Sequence, residues 1–269
     1  MSDTLFFRLL DGVNKPSRLS DAIEELRDGS ETTDTYRAAP ASLRQVPGSP
    51  FAYWVSEDTR SKFAYLTRLE SHDRAVRLGD HPSDDFRYLR LFWEVPSTSP
   101  GLDWRPYKKG GEYSPYYGDV ELVADWDESR QTYRGFYGRP GRASVRPSNY
   151  QLYFRPGLTY GARVRRFSPH VLPKGVIFSH TSPVIFTDDP ALYLGLLNAS
   201  LFRFFLSFQT AVRKMEVGHV QNFPGPAHLA STEVAPSLRN LSMAALQVRR
   251  GFDRGNEISH VFIYQRFCN

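Results

Sequence analysis

A long stretch of this sequence combines arginines with aromatic residues and contains no acidic residue. From Ser129 to Thr187 there is neither aspartate nor glutamate. Its basic residues are Arg130, Arg134, Arg139, Arg142, Arg146, Arg155, Arg163, Arg165, Arg166 and Lys174. Guanidinium groups bind phosphates and nucleobase edges, and neighbouring aromatic rings pack or stack beside them. The alternative is a solvent-exposed face of arginines whose neighbouring aromatic residues pack into the core of a sheet. Exposed faces of that kind, however, usually carry both positive and negative side chains. The pattern therefore favours a nucleic acid partner.

Particular residues of this stretch are candidates for contacts with nucleic acid. Arg163, Arg165 and Arg166 are predicted to contact phosphates or guanine, and Arg142 and Arg146 add positive charge before them. Two weaker candidates are Asn149 and Tyr160. An asparagine can pair with an adenine edge but, alone before a strand, is more often a turn residue. A tyrosine in such a setting is as often part of the core.

A second basic cluster precedes this stretch. Lys108 and Lys109 stand beside Gly110 and Gly111, a glycine pair that lets backbone amides approach a ligand closely. We expect both lysines to anchor a nucleic acid backbone. The alternative is a charged hairpin tip.

The sequence lacks the short motifs of several catalytic classes. It has no G-x-G-x-x-G, G-x-x-x-x-G-K-[ST], G-x-S-x-G or H-E-x-x-H segment. No lysine follows an acidic residue by two positions, as common metal-dependent nucleases require, and no Pro-Pro pair could form the [ND]-P-P-[YF] loop of adenine methyltransferases. The histidines show no helical metal-binding spacing. We therefore predict no catalytic, cofactor-binding or metal-binding residue in this chain.

Composition indicates a globular protein of a reducing compartment. The 269 residues are 41% hydrophobic and carry a formal net charge of +5. Cys268 is the single cysteine, so an intramolecular disulfide and a cysteine-based zinc site are excluded, and a reducing compartment, the cytoplasm, is expected. The segment Met1–Asp11 does not read as a signal peptide. The apolar run Ala191–Phe208 contains Asn198 and Arg203, which favours a buried helix over a membrane span.

Several segments of the chain match a known family. They are Phe86–Pro96, Trp104 with Lys109–Tyr113 and Pro115–Tyr117, Asn149–Tyr150 with Phe154–Tyr160, Leu196–Ser200, and Gly218–Pro224. They resemble the C-terminal target-recognition region of adenine-specific DNA methyltransferases of the PglX type, from BREX phage-defence systems, and of related type IIG restriction-modification enzymes. The last two segments look like the L-L-N-S helix and G-x-x-x-x-L-P loop of TaqI-like specificity domains.

This resemblance implies a function in target selection. In such families the resembled region reads duplex DNA, while a longer N-terminal region holds S-adenosylmethionine and the N-P-P-[YF] loop. That methyltransferase domain is absent from this sequence, so the cofactor is expected only in a missing or partner catalytic domain. The expected partners are double-stranded DNA and that catalytic domain or other defence-system subunits, without a membrane. The alternatives are a subunit or truncated fragment of an active adenine methyltransferase, and an RNA- or protein-binding module.

The elements that must position these residues indicate an α+β fold. Alternating apolar residues predict strands at Leu89–Val95, Val120–Trp126 and Tyr150–Phe154. Capping and stop signals predict helices at Ser20–Gly29, Ala191–Ala211 and Pro236–Gly251. We expect one target-recognition domain over 1–269, with a strand-rich DNA-reading part at 1–187 and a helical part at 188–269.

Overall fold

The computed structural model describes residues 3–11, 13–30, 32–96, 103–138, 141, 145–210, 214–225 and 228–262. Within these ranges the helices are α1 (Lys15–Arg27), α2 (Pro40–Leu43), α3 (Glu57–Tyr65), α4 (Asp85–Tyr88), α5 (Pro190–Asn198), α6 (Ser200–Ser207), α7 (Val217–Gln221) and α8 (Ala235–Asp253). The strands are β1 (Thr4–Phe7), β2 (Thr35–Ala38), β3 (Thr67–Arg68), β4 (Arg74–Arg77), β5 (Leu89–Leu91), β6 (Trp104–Lys108), β7 (Leu122–Asp127), β8 (Thr132–Tyr133), β9 (Gly157–Thr159), β10 (His170–Leu172), β11 (Ile177–Phe178), β12 (Val184–Thr187) and β13 (Pro224–Gly225). The predicted α+β class is confirmed.

The strands form two larger sheets and two small strand pairs. The first sheet has the order β11-β6-β7-β5, and β8 also pairs with β7. The second has the order β10-β9-β12-β4. Within them β11 and β6 are parallel, and the other pairs are antiparallel. The pairs β1-β2 and β3-β13 complete the strand pairing.

Strand β12 supplies side chains to both hydrophobic cores. Successive side chains of a strand point to opposite faces. Ile185 belongs to a core with the C-terminal helices, which also contains Leu197 and Phe202. Val184 and Phe186 belong to the other core, which is built on the five-stranded sheet. The four-stranded sheet therefore lies between the two cores.

The predicted helix Ala191–Ala211 is two helices. Helix α5 ends at Asn198, Ala199 is extended with φ −65° and ψ 152°, and α6 begins at Ser200. The Asn198 Nδ2 donates to Pro169 O and Leu194 O, which fixes the end of α5. The two helices are bent by 60°. Within the described ranges, no single helix has the length and apolarity to cross a membrane, although this bent pair meets both criteria when taken together.

The predicted strand at Leu89–Val95 is too long, and the predicted strand at Tyr150–Phe154 is wrong. Only Leu89–Leu91 pairs with β7, because residues Phe92–Glu94 turn into a 3-10 helix and Glu94 Oε2 accepts a hydrogen bond from Leu91 N at 2.8 Å. Residues Tyr150–Leu152 form a 3-10 helix after Asn149, whose φ of 54° turns the chain. Apolar alternation alone did not reveal these turns.

The predicted helix ends also shift by several residues. Helix α1 begins before Ser20, because Asn14 caps it by accepting a hydrogen bond from Ser17 N at 3.3 Å. Helix α8 continues through Gly251 to Asp253. A glycine weakens a helix but does not end one that packs against neighbouring elements.

Candidate nucleic-acid interface

The loop 160–169 between β9 and β10 is fixed to the protein at several points. The ring of Phe167 packs against Phe202 and Tyr160, with centroid distances of 5.0 and 4.9 Å. The amide of Ala162 donates to Thr181 O at 2.9 Å, and Ala162 O accepts from Met215 N at 2.8 Å. This loop therefore holds its exposed side chains on a rigid support.

Arg163, Arg165 and Arg166 are the exposed cations of this loop. Within the described ranges, none of the ion pairs involves any of the three. The Arg166 guanidinium lies over the ring of Tyr113, 4.8 Å from its centroid. The loop thus presents positive charge that no carboxylate of the described chain neutralises. We call these three residues the arginine loop.

The glycine-containing cluster after β6 lies beside the arginine loop. The Gly110 amide donates to Ser182 Oγ at 2.6 Å, and a Cβ on Gly161 would lie 3.4 Å from Gly111 O. Gly110 and Gly111 have φ values of 55° and 133°, which other residues adopt rarely. Lys109 is in this cluster and forms an ion pair with Asp85. Residues far apart in sequence are therefore brought together at this surface.

A histidine pair adjoins Arg163. The rings of His81 and His180 have centroids 4.3 Å apart. Burial lowers the pKa of His180, and the nearby charges of His81 and Arg163 lower it further. Arg163, His180 and Lys214 also line a pocket of about 350 Å³. No sequence signal pointed to the histidines or to Lys214, because these residues come from distant segments.

Tyr160 and Lys108 are not part of the exposed surface, which corrects their predicted roles. Tyr160 has no exposed surface and belongs to the helical core. Lys108 is 7% exposed and its Nζ donates to Asp119 O at 2.5 Å. Burial lowers the pKa of Lys108 to about 8. Neither side chain can contact a duplex lying on the arginine loop without a rearrangement of its surroundings.

The remaining predicted residues have different surroundings. Asn149 Nδ2 donates to Leu78 O at 2.8 Å, so its amide ties this segment to the residue that follows β4. Arg146 Nη1 donates to the Tyr150 hydroxyl at 3.0 Å, and its guanidinium lies 5.1 Å from that ring's centroid. Arg142 lies outside the described residues. The residues that were predicted to bind nucleic acid therefore lie in different places: some on the surface, one at a turn and some in the core.

The chemistry that this surface offers is the binding of anions and hydrogen-bond acceptors. Planar guanidinium groups donate in pairs to phosphate oxygens or to guanine O6 and N7. In the described part of the chain, no group of three or more histidine, cysteine, aspartate or glutamate side chains is placed to hold a metal ion.

Comparisons with known proteins place the chain near adenine-specific methyltransferases. No protein family model matches it. It is 25% identical over 205 residues to "Adenine-specific methyltransferase PglX" of Lacticaseibacillus casei (strain Zhang), which covers 70% of this chain and 17% of that protein. It is 24% identical over 284 aligned positions to "Adenine-specific methyltransferase BrxX" of Escherichia coli O9:H4 (strain HS), which covers 98% of this chain and 22% of that protein. The chain is therefore a distant homologue, over most of its length, of about a fifth of these adenine-specific methyltransferases.

Proposed function

We propose that this chain binds duplex DNA and reads the target sequence for an adenine-specific methyltransferase of a BREX or restriction-modification system. The observation that carries the proposal is the arginine loop, whose exposed guanidinium groups have no acidic partner within the described ranges. The similarity to PglX and BrxX supports a nucleic acid as the polyanion, because both relatives are named as adenine-specific methyltransferases.

In this proposal the arginine loop positions the duplex and contributes to base reading. Contacts between guanidinium groups and phosphates release counterions and give affinity without sequence preference. A guanidinium group that reaches the major groove can donate to guanine O6 and N7. S-adenosylmethionine and the transfer of the methyl group belong to a catalytic domain outside this sequence.

The first test is selection from a duplex DNA library. The purified chain is incubated with randomised duplexes at two salt concentrations, and the retained fraction is sequenced. We expect enrichment of a short motif and affinity that falls steeply with salt. Salt-insensitive binding, or stronger retention of an RNA competitor, would favour a protein-binding or RNA-binding module instead.

The site assignment needs a variant with a matched control. A triple variant that combines Arg163→Ala, Arg165→Ala and Arg166→Ala should lower DNA affinity by about 10-fold to 1000-fold at moderate salt. Its log affinity should also fall less steeply with log salt concentration, by an amount that corresponds to the loss of up to about three phosphate contacts. The control combines Arg27→Ala, Arg37→Ala and Arg44→Ala, which removes the same charge from exposed positions outside the acid-free stretch. Equal losses of DNA affinity in the two triple variants would show that the arginine loop contributes only through the net charge of the chain.

A second candidate is that the chain is a subunit of an active methyltransferase. The similarity to PglX and BrxX, which are named as adenine-specific methyltransferases, favours it. The test measures transfer of labelled methyl groups to the selected duplex by the chain alone, by a catalytic subunit alone and by both together. Transfer that requires both proteins would support this candidate.

A further inference from the structure

Helix α8 exposes an apolar face to solvent. Val234, Leu241 and Val248 recur every seven residues and are 62%, 68% and 60% exposed. Residues spaced by seven lie on one side of a helix, and Val234, which precedes α8, has helical backbone angles. Between Val234 and Val248 the sequence has one charged residue, Arg239, which pairs with Asp189 at the start of α5. A solvated helix surface normally carries charged side chains, so this face is typical of a contact surface.

The large residues of this face alternate with small ones. Ser237, Ala244 and Gly251 also recur every seven residues, each three positions after a large residue, and all three are exposed. This spacing is a heptad repeat that has its large side chain at position a and its small one at position d. We call the six residues the outer face of α8; they are Val234, Ser237, Leu241, Ala244, Val248 and Gly251.

The outer face is complementary to itself when one helix is reversed. Two identical helices packed in parallel bring equal positions together, so large residues would meet large ones and small residues would leave gaps. In an antiparallel pair each position a meets a position d of the other helix. The facing residues of two copies would be Leu241 with Ala244, Val248 with Ser237, and Val234 with Gly251. Every layer then combines one large and one small side chain, and a two-fold axis repeats each contact.

The polar residues beside the outer face match in the same register. Glu233 and Arg254 are exposed at the two ends of α8, and reversal of one helix brings each beside the other in a second copy. Asn240 and Gln247 are exposed between them and would meet as a pair of amides. All four residues occupy position g of the heptad, so one register satisfies the apolar layers and the polar pairs together. This charge complementarity favours a second copy of the chain as the partner.

We propose that the outer face of α8 binds a second copy of this chain and forms an antiparallel, two-fold symmetric helix pair. The inference does not depend on the proposed function, because the arginine loop lies outside α8. The dimer would carry two arginine loops related by the two-fold axis.

The first test measures the mass of the purified chain by sedimentation velocity over a dilution series. The wild-type chain should form a species of twice 30.8 kDa, the mass of one chain. Ala244→Arg should weaken dimerisation by about 100-fold or more, because it buries unpaired charges at the centre of the helix pair. Met243→Arg is the matched control, since it adds the same side chain at the neighbouring exposed residue, which lies off the outer face. Circular dichroism and thermal melting check that each variant is folded.

The second test determines the orientation of the helices by charge exchange. Glu233→Arg places arginine opposite arginine, and Arg254→Glu places glutamate opposite glutamate. Each variant alone should therefore dimerise about threefold to tenfold more weakly than the wild-type chain. A mixture of the two variants restores opposite charges at both ends and should form a heterodimer with about the wild-type affinity. In a parallel pair, like charges already face each other, so neither single variant would weaken dimerisation.

Three results would overturn the inference. The first is a wild-type chain that stays monomeric at every concentration, and the second is an Ala244→Arg variant that dimerises like the wild-type chain. The third is a pair of charge variants that dimerise as tightly as the wild-type chain, which would contradict the antiparallel register. A monomeric wild-type chain that binds a catalytic subunit, and loses that binding in Ala244→Arg, would assign the outer face to that subunit instead.

Discussion

The Arg166 guanidinium lies 4.8 Å from the centroid of the Tyr113 ring and joins the arginine loop to the glycine-containing cluster after β6. Arg166 lies in the segment between β9 and β10, while Tyr113 follows β6, so the contact bridges the two large sheets. A cation held over an aromatic face loses part of its freedom before any ligand arrives.

The first prediction concerns Tyr113→Leu. Loss of the aromatic face should release Arg166 and lower DNA affinity by about twofold to fivefold, which corresponds to the ~0.5–1 kcal/mol of an exposed cation–π contact. Tyr113→Phe is the control, because its ring keeps the contact. Fluorescence anisotropy with one labelled duplex measures both variants. An equal loss in Tyr113→Phe would assign the effect to the hydroxyl group instead.

The second prediction compares two glycines of the helical part. A Cβ on Gly195 would lie 2.6 Å from Leu238 Cδ1, so Gly195→Ala forces α5 away from α8. We expect the free energy of unfolding to fall by about 1–3 kcal/mol. Gly251→Ala adds the same methyl group to α8 where no atom lies within 4 Å, and it should raise this free energy by about 0.5–1 kcal/mol. Urea denaturation of both variants checks the signs, and equal effects would contradict this packing.

The third prediction concerns pH and His170. Burial lowers the pKa of His170 to about 3, below its ordinary value of 6.5. The unfolded chain therefore binds a proton between these values that the folded chain does not bind. Its contribution to stability is complete above pH 6.5 and falls by about 1.4 kcal/mol per pH unit below that value, down to about pH 3.

Urea denaturation between pH 7.5 and pH 5 tests this dependence. Other titrating groups contribute equally to the wild-type chain and to His170→Gln, so the difference between their pH slopes isolates His170. We expect the wild-type chain to lose stability more steeply than the variant as pH falls. Parallel slopes would show that His170 takes up its proton in the folded protein.

The fourth prediction concerns Tyr160, whose buried hydroxyl has no hydrogen-bond partner within the described ranges. Tyr160→Phe removes this hydroxyl and keeps the ring packed against Phe167. The free energy of unfolding should rise by about 1 kcal/mol, because a buried polar group without a partner is unfavourable. DNA affinity should not change. If a stable Tyr160→Phe variant bound DNA more weakly than the wild-type chain, Tyr160 would be part of the DNA interface.

Local patterns anticipated the α+β fold class and some features of the surface. The acid-free stretch indicated an exposed basic surface, and Arg163, Arg165 and Arg166 are exposed. The glycine pair beside Lys109 indicated a special turn, and both glycines have positive φ. These features depend on residue type and close spacing, which a sequence displays directly.

Other features depend on tertiary contacts that no local pattern contains. Lys108 and Lys109 are adjacent in sequence, yet one is buried against Asp119 and the other pairs with Asp85. Apolar alternation at Tyr150–Phe154 looked like a strand, but Asn149 turns the chain and its amide donates to Leu78 O. The burial of His170 was not predicted, because its surroundings include Gly118 and Lys108 from distant segments.

The placement of β12 between the two cores has a consequence for how the protein melts. If either core unfolded alone, one face of β12 would be exposed to solvent while its other face still packed in the remaining core. Ile185 and Val184 are adjacent, so neither core can lose its share of β12 independently. The two cores should therefore unfold in one cooperative transition, and a cut after Thr187 should yield two pieces that do not fold separately.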